Sequence, residues 1–188
     1  MFNVYHPSPD HRRITSPYGI RGGGFHNGVD FAVPMREPIL SASSGRVIRA
    51  TWQESYGYYI IIQHDGFCTL YAHLDEMLVD VGDKVDYRQK IGLCGSTGRS
   101  TGPHLHFEIR EGDYFDDFWD RYDGTDIFVN SVDPMDHLAP KWLEDEFLRG
   151  HERKLFNSLD HGIYGNWSNG IQITILNRII DRLQINLK

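Results

Sequence analysis

Between residues 12 and 110 the chain never holds one hydrophobic rhythm for long. Short β-patterned runs (PILSAS, GRVIRATWQ, YYIIIQH, TLYAHL, KIGLCG and HLHFEIR) are cut by the turn signals SSG, SYG, HDG, VGDK and GSTGRSTGP. Apolar runs of this length, bounded by Gly, Ser and Asp, read as strands and turns. No segment there keeps a helical period. Many short strands at this spacing bury their apolar faces in an antiparallel β-sandwich or a partly open barrel, so the predicted fold is mainly β. The 188 residues, 40% of them hydrophobic and 13% aromatic, suffice for one domain with a small appendage.

The composition shifts after Arg110. Residues 111–131 form an acidic, aromatic excursion, and DPMDHL at 133–138 returns to a compact apolar pattern. A first domain is therefore expected over 1–140 and a C-terminal, mostly helical extension over 141–188. In the extension, Trp142, Leu143, Phe147 and Leu148 fall on one side of a helix. Further on, Ile171, Ile175, Leu176, Ile179, Ile180, Leu183 and Leu187 make a helical stripe. The first residues of that stripe also alternate as a strand would. Such a stripe must be covered by its own domain, by a second copy or by a particle partner through 171–187.

A net charge of −7 without a Lys/Arg cluster argues against nucleic acid. No apolar run approaches the roughly 18 residues of a membrane span. The opening MFNVYHPSPDHRR lacks the hydrophobic core of an export signal. Cys68 and Cys94 lie in apolar runs and are expected as buried free thiols, with a disulfide the alternative.

The chemistry concentrates in three places. In TGPHLHFEIR, strand alternation puts His104, His106 and Glu108 on one face and Leu105, Phe107 and Ile109 on the other. In GFHNGVDFAVP, His26 and Asp30 are spaced H-x-x-x-D, and Gly24 and Gly28 permit a tight backbone around them. In LYAHLD, His73 sits mid-strand, on a face shared with Tyr71 and Asp75. A catalytic zinc takes three protein ligands plus water, and these pieces together offer enough imidazole and carboxylate.

GFHNGVDFAVP, SGRV, YAHL and GSTGRSTGPHLHFEIR, within a match from about Ile14 to Leu138, resemble the lysostaphin-type zinc endopeptidases of bacterial cell walls. The resemblance implies one zinc per chain, with the ligands falling on His26, Asp30 and His106 and the two catalytic histidines on His73 and His104. All five positions are filled, unlike in the family's degenerate members. The implied activity is hydrolysis of peptide cross-links in peptidoglycan, at the cell wall. The absent export signal suggests a phage or prophage lysin, virion-delivered or holin-released, or a piece of a longer protein. The rival reading is a non-catalytic wall-binding or assembly protein on the same fold. With no HExxH glutamate in the chain, His104 is the expected base and His73 the expected donor to the oxyanion, the two roles being interchangeable at the level of sequence. Glu108 and Asp75 are candidate acceptors behind the metal-bound rings, with surface exposure the expected state of each. The GSTGRSTGP loop, with Thr101, is expected to line the substrate groove. SPYGIR resembles the family's entrance segment. There Arg21 is read as contacting a substrate carboxylate or as merely solvated, and Tyr18, like Phe25, Tyr56 and Tyr58, as groove lining or as packing.

Overall fold

The computed structural model describes residues 4–22, 24–112 and 131–139. The expected helical extension, its apolar stripe and nearly all of the acidic excursion lie outside these. Among the described residues the short strands are β1 (Ile14–Ser16), β2 (Gly19–Arg21), β3 (Gly24–His26), β4 (Val29–Phe31) and β5 (Pro38–Leu40). Longer strands follow: β6 (Gly45–Gln53), β7 (Gly57–Gln63) and β8 (Phe67–Met77). Then come β9 (Lys84–Val85), β10 (Lys90–Cys94), β11 (Leu105–Glu111) and β12 (Ser131–Val132), and a 3₁₀ turn over Pro134–Asp136. The six runs read from sequence correspond to β5, β6, β7, β8, β10 and β11.

The mainly β, antiparallel expectation holds. Ten strands form one antiparallel sheet whose main path runs β1-β4-β11-β8-β7-β6-β9, with β2 and β3 making a separate hairpin. The central strand is β8. Along one side it pairs with β11 from Phe67 to Ala72, and beyond that with β10 from Leu74 to Met77. The residue at this fork is His73, so residues 95–104, which join β10 to β11, begin and end beside it.

Alternation is obeyed on β11, where Leu105, Phe107 and Ile109 are buried with Val29, Phe31, Ile60, Ile62, Tyr71 and Leu74 in the main core. On β8 it is broken. Tyr71 packs on Phe107 in that core, while His73 lies on the opposite face, its ring 6.0 Å from that of His106. The expectation that His73 shares a face with Tyr71 is therefore corrected. The cause is a register shift between β7 and β8 at Tyr58/Ile60, and His73 takes φ of 61°. An extra bulge residue turns the following side chain to the other face. A left-handed backbone at a non-glycine residue costs on the order of 1–3 kcal/mol and persists where the surrounding structure over-determines it.

Both cysteines are free and buried, as expected. His64 is buried too, with Nδ1 donating to the Ser44 carbonyl at 2.9 Å and Nε2 2.8 Å from Thr69 Oγ1. Burial pushes its pKa down to about 4, against a partial rise from the Ser44 carbonyl. Above pH ~6.5 the ring is neutral in both folded and unfolded chains. Below that the unfolded chain gains a proton that the folded one refuses, so stability falls as the pH drops toward 4, by up to about 1.4 kcal/mol per pH unit. Urea midpoints of wild type and His64→Gln between pH 7.5 and 4.5 are expected to show a shallower acid slope in the variant. Parallel slopes would refute this.

Candidate metal centre

The three positions H-x-x-x-D and H-x-H meet because β4 pairs with β11 in a register that sets Asp30 opposite His106. His26 ends β3, with Asn27 and Gly28 between it and β4, and at Gly28 the turn leaves no room for a side chain. A Cβ on Gly28 would stand 2.4 Å from the Phe107 carbonyl oxygen and 2.9 Å from His106 Cε1. That close approach brings His26 onto Asp30 and His106.

Hydrogen bonds fix which nitrogen of each ring is available. His26 Nδ1 donates to the Pro17 carbonyl at 2.8 Å, leaving an Nε2 lone pair. His106 Nε2 donates to Glu108 Oε1 at 2.9 Å, leaving Nδ1. These two free nitrogens stand 3.0 Å apart, and Asp30 Oδ1 lies 3.2 Å from the first and 2.8 Å from the second. Three acceptors thus converge with no hydrogen between them as long as the rings are neutral. Ligands held about 2.0–2.1 Å from a tetrahedral zinc are about 3.3 Å apart, close to these separations. The donor set fits a divalent cation. Its electrostatics agree: burial disfavours charge on His106, but Asp30 and Glu108 outweigh it and push the pKa up to about 9. Burial likewise opposes ionisation of Asp30, yet His106 and His26 hold its carboxyl well below the usual carboxylate range. The cluster favours positive charge among its ligand atoms.

Behind the ligands stands a buried network. Glu108 is fully buried, not exposed as expected. It accepts from His106, from the Tyr56 hydroxyl at 2.6 Å and from Arg110 Nε at 2.8 Å. Burial alone would raise its pKa, but Arg110 and His106 hold it at about 2. A buried carboxylate stays charged only with such partners. Asp75, by contrast, is partly exposed and pairs with Arg36 at the surface, as expected.

The remaining histidines are positioned by residues 95–104. His73 Nδ1 donates to the Thr97 carbonyl and His104 Nδ1 to the Gly102 carbonyl, each at 2.8 Å. The two rings are 4.5 Å apart, and His104 Nε2 is 3.9 Å from Asp30 Oδ1. Burial holds the pKa of His73 down to about 4. Neutral, with its proton on Nδ1, His73 presents an acceptor at Nε2, and a protonated ring presents a donor there. The loop itself is pinned: a Cβ on Gly98 (φ 69°) would fall 2.2 Å from the Gly57 nitrogen.

All five histidine and aspartate positions line one open groove of about 430 Å³, together with Arg21, Phe25, Asn27, Tyr56, Arg99 and Thr101. Tyr18 stands behind Phe25, edge to face at 5.0 Å, with its hydroxyl donating to the Ser131 carbonyl. It is not among the lining residues. Tyr58 packs on Trp52 away from the groove lining.

Residues 24–117 match the family model described as peptidase family M23. Over 116 residues the chain is 42% identical to the peptidoglycan DD-endopeptidase ShyB of Vibrio cholerae, covering 57% of this chain and 27% of ShyB. Among solved structures, a zinc-containing peptidase from Vibrio cholerae aligns with a TM-score of 0.53 and 42% identity, over 57% of this chain and 36% of that one. Lysostaphin from Staphylococcus simulans aligns with a TM-score of 0.58 and 29% identity, over 72% of this chain and 52% of lysostaphin. The chain spans about a quarter of the length of the curated relatives it matches.

Proposed function

Since the chain belongs to peptidase family M23, we propose that it is a zinc-dependent endopeptidase that hydrolyses peptide cross-links of bacterial peptidoglycan and acts at the cell wall. The observation that carries this reading is the convergence of His26 Nε2, His106 Nδ1 and Asp30 Oδ1 beside two further imidazoles in one open groove. Every residue invoked precedes residue 140. The reading therefore assigns hydrolysis to 1–140 and leaves 141–188 as an extension.

Zinc in this set supplies a Lewis acid that polarises a carbonyl and brings the pKa of a water toward neutrality. The chain's own residues do the rest. Glu108, held by Arg110 and Tyr56, fixes the His106 ring with Nδ1 toward Asp30. His104, its Nδ1 tied to Gly102, offers Nε2 to take a proton from the attacking water and return it to the leaving amine. His73 accepts a hydrogen bond at Nε2 and so orients the water or the scissile amide N–H.

The test is mass spectrometry of fragments released from purified cell walls. The wild-type chain is expected to release new amino termini from the cross-links. Chelator should abolish that release and added zinc restore it. Wall binding with no change in the fragments would favour the non-catalytic alternative.

A further inference from the structure

We propose that Arg99 is a binding residue for a free carboxylate of the cross-link peptide, and that the groove thereby selects anionic stem-peptide cross-links over neutral glycine bridges. This rests on the endopeptidase reading and names the substrate class of the same site.

The chain carries a net charge of −7, yet its groove is basic on the side a substrate meets. Two carboxylates line it, Asp30 and Glu108. Glu108 is sealed from solvent and paired with Arg110 beneath it. Asp30 turns Oδ1 to His106 and His26. The charges left facing the opening are Arg21 and Arg99. Arg21 is already engaged, donating to Ser16 Oγ at 2.7 Å and lying 3.9 Å from Asp30 Oδ2. Arg99 differs. Its backbone N–H bonds to the Ser55 carbonyl at 3.3 Å, but among the described residues its guanidinium has no ion-pair partner.

The backbone carrying Arg99 is fixed before any ligand arrives. Ser100 N–H donates to the Gly98 carbonyl at 3.0 Å, Ser96 Oγ and Ser100 Oγ are 2.9 Å apart, and Gly98 is wedged against Gly57. Binding would have to order the Arg99 side chain alone, which limits the entropic loss. A guanidinium recognises a carboxylate through two parallel N–H bonds, a geometry that neither an amide nor a glycine bridge reproduces. Stem peptides carry a free carboxylate at the chain terminus, and a second at the diamino acid where that residue has two carboxyl groups. A bridge of glycines carries none beside its scissile bonds.

The experiment uses the full chain and four purified disaccharide-peptide dimers. One has both carboxylates free, one is amidated at the diamino acid, one is amidated at the terminus, and one is joined by a glycine bridge. Wild type is expected to show kcat/KM about 10-fold higher on the free dimer than on one of the amidated forms, and that form identifies the carboxylate. Arg99→Gln should erase the difference mainly through KM, and Arg99→Lys should keep part of it. In chelator, where nothing is cleaved, wild type should bind the free dimer more tightly at equilibrium than that amidated form. Equal wild-type rates on all four forms, a wild-type preference for the glycine bridge, or an Arg99→Gln variant that keeps the preference would overturn the proposal. Discrimination in binding with no cleavage of any dimer by the zinc-loaded chain would keep the carboxylate site and overturn the endopeptidase reading.

Discussion

His106→Ala is expected to lose its zinc and, with it, essentially all hydrolysis. The other two ligand atoms, His26 Nε2 and Asp30 Oδ1, remain 3.2 Å apart, but two ligands do not make the three-ligand set that a catalytic zinc requires. Elemental analysis should fall from one zinc per chain to about a tenth or less, and fragment release should drop by on the order of 10⁴-fold or more. The fold should survive. Glu108 keeps Tyr56 and Arg110 when the imidazole is gone, so the buried carboxylate is not orphaned. The destabilisation should stay near about 1–3 kcal/mol, read as a shift in urea midpoint of the zinc-free proteins. Full zinc occupancy in the variant would show that His106 is not a ligand.

The second large effect separates ligands from catalysts. His73→Ala and His104→Ala are expected to retain one zinc each and to lose about 10²–10⁴-fold in kcat, the usual scale for a proton acceptor or a positioned hydrogen bond. Neither ring's free nitrogen belongs to the three-atom cluster, and each is held from behind by a backbone carbonyl. The pair should be strongly non-additive, because both rings serve one water and one scissile bond in one groove. Loss of metal from His104→Ala, with metal kept in His106→Ala, would exchange the members of the H-x-H pair.

Much of this site was legible in the sequence, because strand alternation and short spacing place side chains without reference to distant packing. The spacing of His26 and Asp30, and the shared face of His104, His106 and Glu108, follow from those rules, while their division into ligands and catalysts is what the family resemblance implied. The exposure of Glu108 was misread although the signal was present. The alternation that groups His106 with Glu108 carries one step further to Arg110, and a carboxylate flanked on its own face by an imidazole and a guanidinium can be buried. The face of His73 was not legible. It depends on a bulge set by the register of β7 against β8, which is a pairing between strands and leaves no local pattern in LYAHLD. The tautomers were hidden for a similar reason: the acceptors are the carbonyls of Pro17, Thr97 and Gly102, and every residue has a carbonyl. Tyr18 was drawn toward substrate by its place in SPYGIR, but the hydroxyl is spent on Ser131, 113 positions away.

Val4 and Leu138 form a parallel bridge, and Ala139 N–H donates to the Val4 carbonyl at 2.8 Å. The described segments before β1 and after β12 therefore lie side by side at one seam, outside the strands of the sheet. A unit stitched in that way can be spliced into a host protein as a side branch, with both junctions at one spot and little demand on the host's geometry. The same pairing ties the segment before β1 to the segment after the 3₁₀ turn, so separating either one from the other breaks the Val4–Leu138 bridge and the Ala139–Val4 hydrogen bond.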